Sequence, residues 1–150
     1  MLDLIGTLPA GARVLDLGAG PGSFPSQRQD ILVVRLDLER PHRLGPGSYV
    51  LADAARMPFP PASFDLVVSN HSLEHFTELE ATVREIGRVV KPDGVLYVAV
   101  PDATTLTDRI YRWLGRGICQ SVPVAGGGRR PHHAAYRTAA RQRAFPAVSI

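Results

Sequence analysis

Three glycines at alternate positions close a short apolar run in Val14-Leu15-Asp16-Leu17-Gly18-Ala19-Gly20-Pro21-Gly22. A turn of this kind lets bare backbone approach a ligand closely, where any Cβ would collide. The plainer alternative is a glycine turn that only joins a strand to the next element. The spacing differs from that of a dinucleotide loop, which runs Gly-x-Gly-x-x-Gly and holds a pyrophosphate at a helix N-terminus. Asp16 also stands two residues ahead of the first glycine. A carboxylate that close repels phosphate and suits a cationic ligand.

Two more acids occupy comparable places. Asp37 ends the apolar run at residues 31–37 and lies 21 residues beyond Asp16, where a carboxylate can accept both hydroxyls of a ribose. Glu39 is the alternative for that role, and an ordinary surface acid is the alternative for Asp37. Asp53 follows Tyr49-Val50-Leu51-Ala52, a place from which a carboxylate can meet the amino group of adenine. All three acids are expected at the carboxyl ends of successive strands, the rim where open α/β sheets bind ligands.

The elements that must position them follow from the apolar patterning. Strands are predicted at residues 13–17, 31–37, 49–52, 64–69 and 94–100, the last stopped by Pro101. These runs alternate with helix-compatible stretches, the pattern of βαβ units around a buried parallel sheet. Residues 22–29 are a short helix candidate compromised by Pro25. Leu79, Val83, Ile86, Val89 and Val90 recur at helical spacing and give one apolar stripe, after which Pro92-Asp93-Gly94 turns the chain into the fifth strand. A further helix is predicted across Leu106, Ile110, Trp113 and Leu114, with Thr104 or Thr105 as its cap.

Taken together, these segments resemble the class I S-adenosylmethionine-dependent methyltransferases, and within them the small-molecule group known as methyltransferase type 11. The resemblance rests on residues 14–22, Asp37, Asp53-Ala54-Ala55-Arg56-Met57-Pro58-Phe59-Pro60, Phe64-Asp65-Leu66-Val67-Val68-Ser69-Asn70, Leu73-Glu74-His75 and residues 85–94. It spans about residues 11–102. It implies a Rossmann-like, open, mostly parallel α/β sheet of about five strands in the order 3-2-1-4-5, with S-adenosylmethionine as cofactor. It also implies that Gly18, Gly20 and Gly22 border the methionine and ribose portions. Asp16 would support the amino group directly or through water, Asp37 the ribose and Asp53 the adenine. Asn70 would lie beside the methyl group.

Methyl transfer is an in-line displacement at a carbon already activated by positive sulfur, so alignment and desolvation can supply most of the rate. His71 and His75 are the imidazoles expected near the methyl, and either can take a proton from a hydroxyl nucleophile. The plainer readings are that His75 packs at the start of a helix and that His71 is a polar loop residue. Asn70 is followed by His71-Ser72-Leu73 rather than by the Pro-Pro-aromatic signature of amino-directed nucleic-acid methyltransferases. A base-methylating role and a nucleic-acid partner are therefore not expected, and the resemblance implies a small-molecule acceptor, expected to be methylated at oxygen or nitrogen. The alternative is a module of the same fold that binds cofactor or a protein partner without turnover.

Charge agrees with that choice. The net charge is +3, yet all 14 acids lie within residues 1–108, whereas residues 109–150 hold eight arginines and no acid. The basic balance belongs to the C-terminal segment, and the patterned part is mildly acidic. The single Cys119 excludes an internal disulfide, and His132-His133 lacks the further ligands of a metal site, so no metal is expected. With an acid in Met1-Leu2-Asp3-Leu4-Ile5 and no spanning apolar run, the setting expected is the cytoplasm without a membrane partner. Oligomeric state is open.

The pattern changes after Leu114. Residues 1–114 read as the methyltransferase domain and residues 115–150 as a basic, disordered tail rich in Arg, Ala, Pro and Gly. Complete members of the resembled fold add a final antiparallel pair of strands. No pair of alternating apolar runs follows here, since Val122-Pro123-Val124 is short and interrupted by proline. The sheet is therefore expected to lack that pair. A natural minimal form, a truncation and a shifted reading frame are the three origins, the last favoured by composition.

Overall fold

The computed structural model describes residues 2–25, 28–99, 119–122 and 133–138. A short helix α1 (Leu2–Gly6) precedes the strands β1 (Arg13–Leu17), β2 (Leu32–Asp37), β3 (Ser48–Leu51) and β4 (Phe64–Asn70). A single 3-10 turn, Leu73–His75, leads into α2 (Leu79–Val89) and β5 (Val90–Ala99), with β6 (Cys119–Val122) and β7 (His133–Thr138) beyond. Each of the first four strands lies within a residue or so of its expected place.

The sheet runs β3-β2-β1-β4-β5-β7-β6. β1 pairs in parallel with β2 and β4, β2 with β3, and β4 with β5. The parallel part has the order 3-2-1-4-5 that the resemblance implies. It does not end the sheet, however. β7 lies antiparallel on β5, from Val95 opposite Arg137 to Ala99 opposite His133, and β6 lies antiparallel on β7.

The expected lack of a final antiparallel pair is thus corrected, and the sheet draws strands from both sides of the division placed after residue 114. The physical reason lies in what such strands require. A strand near a sheet margin is held by backbone hydrogen bonds and does not need the branched apolar run of a doubly covered strand. His133-Ala134-Ala135-Tyr136-Arg137-Thr138 carries no such run. The helix expected across Leu106 to Leu114 lies outside the described residues.

Both faces of the central strands are covered, which explains their nearly continuous apolar character. Leu15, Leu17, Phe64, Val67, Leu96 and Val98 pack on one face against Val83, Ile86 and Val89 of α2. Val14, Leu66, Val68, Val95 and Tyr97 pack on the other with Ile5 and Phe24. The stripe predicted for α2 is the one it buries, except that Val90 has left the helix and begins β5. Pro92 keeps the helix from continuing further, because it drives Lys91, the residue before it, away from helical geometry. Between β4 and β5 the register shifts from Phe64 opposite Val90 to Leu66 opposite Val95. That bulge is fastened by Lys91, whose ammonium donates to both carboxylate oxygens of Asp65 at 2.9 Å.

The helix expected at residues 22–29 does not form among the described residues, where residues 23 and 24 are a bend and residues 22 and 25 have no regular structure. Pro25 removes a donor, and Phe24 instead enters the second core cluster. Arg28 donates to the carbonyls of Ile5 and Leu8 at 3.1 and 2.6 Å, which ties this segment to α1. No helix among the described residues is long and apolar enough to cross a membrane.

Candidate functional site

Beyond the carboxyl ends of β1, β2 and β3 lies a cavity of about 160 Å³. It is lined by three segments, Gly18 with Leu36-Asp37-Leu38, Ala52-Asp53-Ala54, and His75-Phe76-Thr77-Glu78. Two of the three expected acids, Asp37 and Asp53, therefore share one hollow. Asp37 has one oxygen on the backbone N–H of Gly20 at 2.7 Å and the other on that of Glu39 at 3.3 Å. Asp53 accepts from the N–H of Ala55 at 2.9 Å and is otherwise open to solvent.

The glycine turn is shaped by this network. Gly18, Gly20 and Gly22 all have positive φ, at 65°, 50° and 119°, a region that L side chains enter at a cost. A Cβ on Gly18 would lie 2.5 Å from the Cβ of Ser72. Ser72 is held there because its hydroxyl donates to the Leu17 carbonyl at 2.7 Å and pairs with Ser69 at 2.8 Å. The backbone thus needs glycine at residue 18 to let the segment after β4 close over the end of β1. A Cβ on Gly20, by contrast, would meet nothing within 4 Å.

Asp16 does not line the cavity. It is fully buried, and its carboxylate accepts from the Ser23 N–H at 3.0 Å, from the Ser23 hydroxyl and from a guanidinium nitrogen of Arg35. Burial pushes its carboxyl above the ordinary range, against the opposing pull of the Ser23 and Arg35 hydrogen bonds. Arg35 is itself buried, donates to the carbonyls of Pro46 at 2.9 Å and Phe24 at 3.2 Å, and lies 5.2 Å over the Phe24 ring. A Cβ on Gly22 would lie 2.8 Å from that guanidinium, so Gly22 packs on Arg35 rather than into the cavity.

The remaining candidates divide in the same way. Asn70 is half-buried and donates its amide to the Ser23 carbonyl at 3.3 Å. His71 has φ of 53° and is exposed, its N–H bonded to the Ala99 carbonyl at 2.8 Å. His75 lines the cavity, with its side chain 77% exposed, and His71 is not among the lining residues. Among the described residues no three His, Cys, Asp or Glu side chains converge as a metal site would require.

Sequence reasoning missed Arg35, Ser23, Ser72 and Phe76. For Arg35 a signal was present: one cation amid Ile31-Leu32-Val33-Val34 and Leu36 must find an anion if the strand is buried. Phe76 and Ser72 carry no such mark, since their roles arise from how the segment after β4 folds back on Gly18.

A sheet in this order, with a glycine turn after β1 and acids at the ends of β2 and β3, defines a Rossmann-like domain of the class I methyltransferase type. The family described as "Methyltransferase domain" matches residues 15–98. The chain belongs to this family, whose cofactor is S-adenosylmethionine. Malonyl-[acyl-carrier protein] O-methyltransferase of Enterobacter lignolyticus is 35% identical over 120 residues, covering 73% of this chain and 48% of that protein. Demethylmenaquinone methyltransferase of Beutenbergia cavernae is 37% identical over 106 residues, covering 65% and 44%. The chain spans about half the length of these relatives. Among solved structures, a Burkholderia thailandensis 1,6-didemethyltoxoflavin-N1-methyltransferase with bound 1,6-didemethyltoxoflavin and S-adenosylhomocysteine shares the fold. Its TM-score is 0.67 at 19% identity, covering 91% of this chain and 74% of that one.

Proposed function

We propose that this chain binds S-adenosylmethionine and supports transfer of its methyl group to a small-molecule acceptor, at oxygen or nitrogen. The observation that carries the reading is that Asp37 and Asp53 line one cavity together with Gly18 and Phe76. The chemistry of this lining suits a nucleoside: Asp37 would accept the ribose hydroxyls, Asp53 the adenine amino group, and the Phe76 ring would supply an apolar surface. Gly20 leaves open space where a side chain would stand. Gly18 and Gly22 act by letting the chain close on Ser72 and Arg35, and Asp16 with Asn70 acts by fixing Ser23.

When bound, the cofactor supplies a methyl group on positive sulfur. The chain's own contribution is orientation and exclusion of water, with His71 or His75 as the base that takes the proton from the acceptor. His75 belongs to the lining of the cavity and His71 follows directly on Asn70, so both remain candidates for that role. The names of the relatives support a small-molecule acceptor; they include an O-methyltransferase, an N1-methyltransferase and a C-methyltransferase, and oxygen or nitrogen is the acceptor atom this reading keeps. The cytoplasm is the setting this reading keeps.

Calorimetric titration with S-adenosylhomocysteine tests the first step, and saturable binding is expected. Radiolabelled methyl transfer into fractionated small molecules tests the second, and the position of the new methyl identifies the acceptor atom. Binding without transfer to any fraction would turn the reading into that of a cofactor-holding module.

A further inference from the structure

The ammonium of an S-adenosyl amino acid needs an anion, and the carboxylate in the glycine-turn region that the sequence offers for it is Asp16. That carboxylate has 0% exposure. Both its oxygens are engaged inside the protein, one by the Ser23 hydroxyl and the other by the Ser23 N–H and Arg35. Arg35 cannot easily be displaced. Its guanidinium also binds the carbonyls of Pro46 and Phe24, lies over the Phe24 ring, and has Gly22 packed directly on it. A ligand ammonium reaching Asp16 would have to break these contacts and leave a buried guanidinium without its counter-ion.

The nucleoside end differs. Asp37 and Asp53 both line the cavity, and Asp53 is exposed within it. Resting on the nucleoside placement proposed above, we infer that the site recognises a 5′-thio purine nucleoside and gains little from the amino acid attached to it. Arg35 is then a specificity-determining residue, because it neutralises the carboxylate that would otherwise reward the ammonium.

The test compares S-adenosylhomocysteine with 5′-methylthioadenosine, which lacks the amino acid, by calorimetry on the full chain. Their affinities are expected to differ by less than about tenfold, since a direct charged hydrogen bond contributes about 10- to 100-fold. An advantage of tenfold or more for S-adenosylhomocysteine overturns the inference. If neither ligand binds, the proposed cofactor role fails and the inference falls with it, a result distinct from a large difference between the two. A second readout is the side-chain NMR signal of the Arg35 Nε–H. It is expected to respond alike to both ligands, and a large shift with S-adenosylhomocysteine alone would show that the ammonium has taken Asp16 from Arg35.

Discussion

Asp16 and Arg35 stand directly opposite each other in the parallel register of β1 and β2, with both side chains buried and the carboxylate on the guanidinium. Among the described residues, neither the β1–β2 nor the β2–β3 connection contains a helix. The guanidinium takes over part of the work that a covering helix does. It binds the carbonyl of Phe24 in the first connection and that of Pro46 in the second, so two loops are fastened to one side chain.

Removing one partner should therefore be severe. Arg35→Met is expected to destabilise the fold by about 3–5 kcal/mol, because it leaves a buried carboxylate uncompensated. The double change Asp16→Leu with Arg35→Met should recover a good part of that loss, since an apolar pair of similar volume needs no counter-ion. Urea denaturation of the four proteins in a double-mutant cycle measures both. A cost below about 1 kcal/mol for Arg35→Met, within the range of ordinary surface changes, would show that the pair does not hold the loops.

Two glycines with positive φ separate backbone strain from steric conflict. Gly11 has φ of 78° and nothing within 4 Å of where a Cβ would be, whereas at Gly18 that atom would fall 2.5 Å from Ser72. Gly11→Ala should cost about 1 kcal/mol from strain alone. Gly18→Ala should cost more, and it should also weaken S-adenosylhomocysteine binding by moving Ser72 away from the cavity lining. Thermal denaturation followed by titration checks both, and equal costs would remove the steric argument.

The ribose role of Asp37 predicts that Asp37→Ala weakens S-adenosylhomocysteine binding by about 1–3 kcal/mol, the range for a lost hydrogen bond to a charged group. Calorimetry on the folded variant gives the value. Unchanged affinity would transfer the role to Glu39 or remove it.

Acid should loosen the α2 side of the molecule. The Arg88 hydrogen bond, opposed by burial, holds the Glu85 carboxyl below its ordinary 4.5. For a depressed carboxyl the stabilisation is complete above the unfolded-state value and disappears as pH falls through the folded one. The loss thus begins near pH 4.5 and grows below it. Glu85→Gln should flatten the dependence of stability on pH in this window, by at most about 1 kcal/mol because the Arg88 side chain is 33% exposed. Denaturation midpoints at pH 6 and at about pH 3.5 provide the comparison, and an unchanged slope would exclude Glu85 as a source.

Much of this architecture was legible in the chain because periodicity reports burial. β1, β2, β4 and α2 carry apolar residues wherever a face is covered, so their positions follow from the pattern, while the order of the parallel strands came from the resemblance to the methyltransferase family. β7 was hidden for the converse reason, since its ladder to β5 is made by backbone groups that every residue carries. In the site, Asp37 and Asp53 were readable as acids at strand ends. Their partition from Asp16 was not, because it depends on which way β1 turns each side chain. Alternation along the strand puts Asp16 on the face of Val14 and Phe24, and only the pairing with Arg35 reveals that its charge is satisfied there.

One further consequence comes from α2. Glu85 accepts the Met57 N–H at 2.8 Å, while Arg88 donates to the carbonyls of Phe59 and Met57 at 2.6 and 3.0 Å. The segment that carries Asp53 is thus fastened to this helix, and Phe76-Thr77-Glu78 runs straight into its first turn. Two of the segments that line the hollow are therefore tied to one helix, the first by hydrogen bonds and the second by chain continuity. A displacement of α2 is expected to carry both of them together, so the shape of the hollow is coupled to where this helix sits on the sheet.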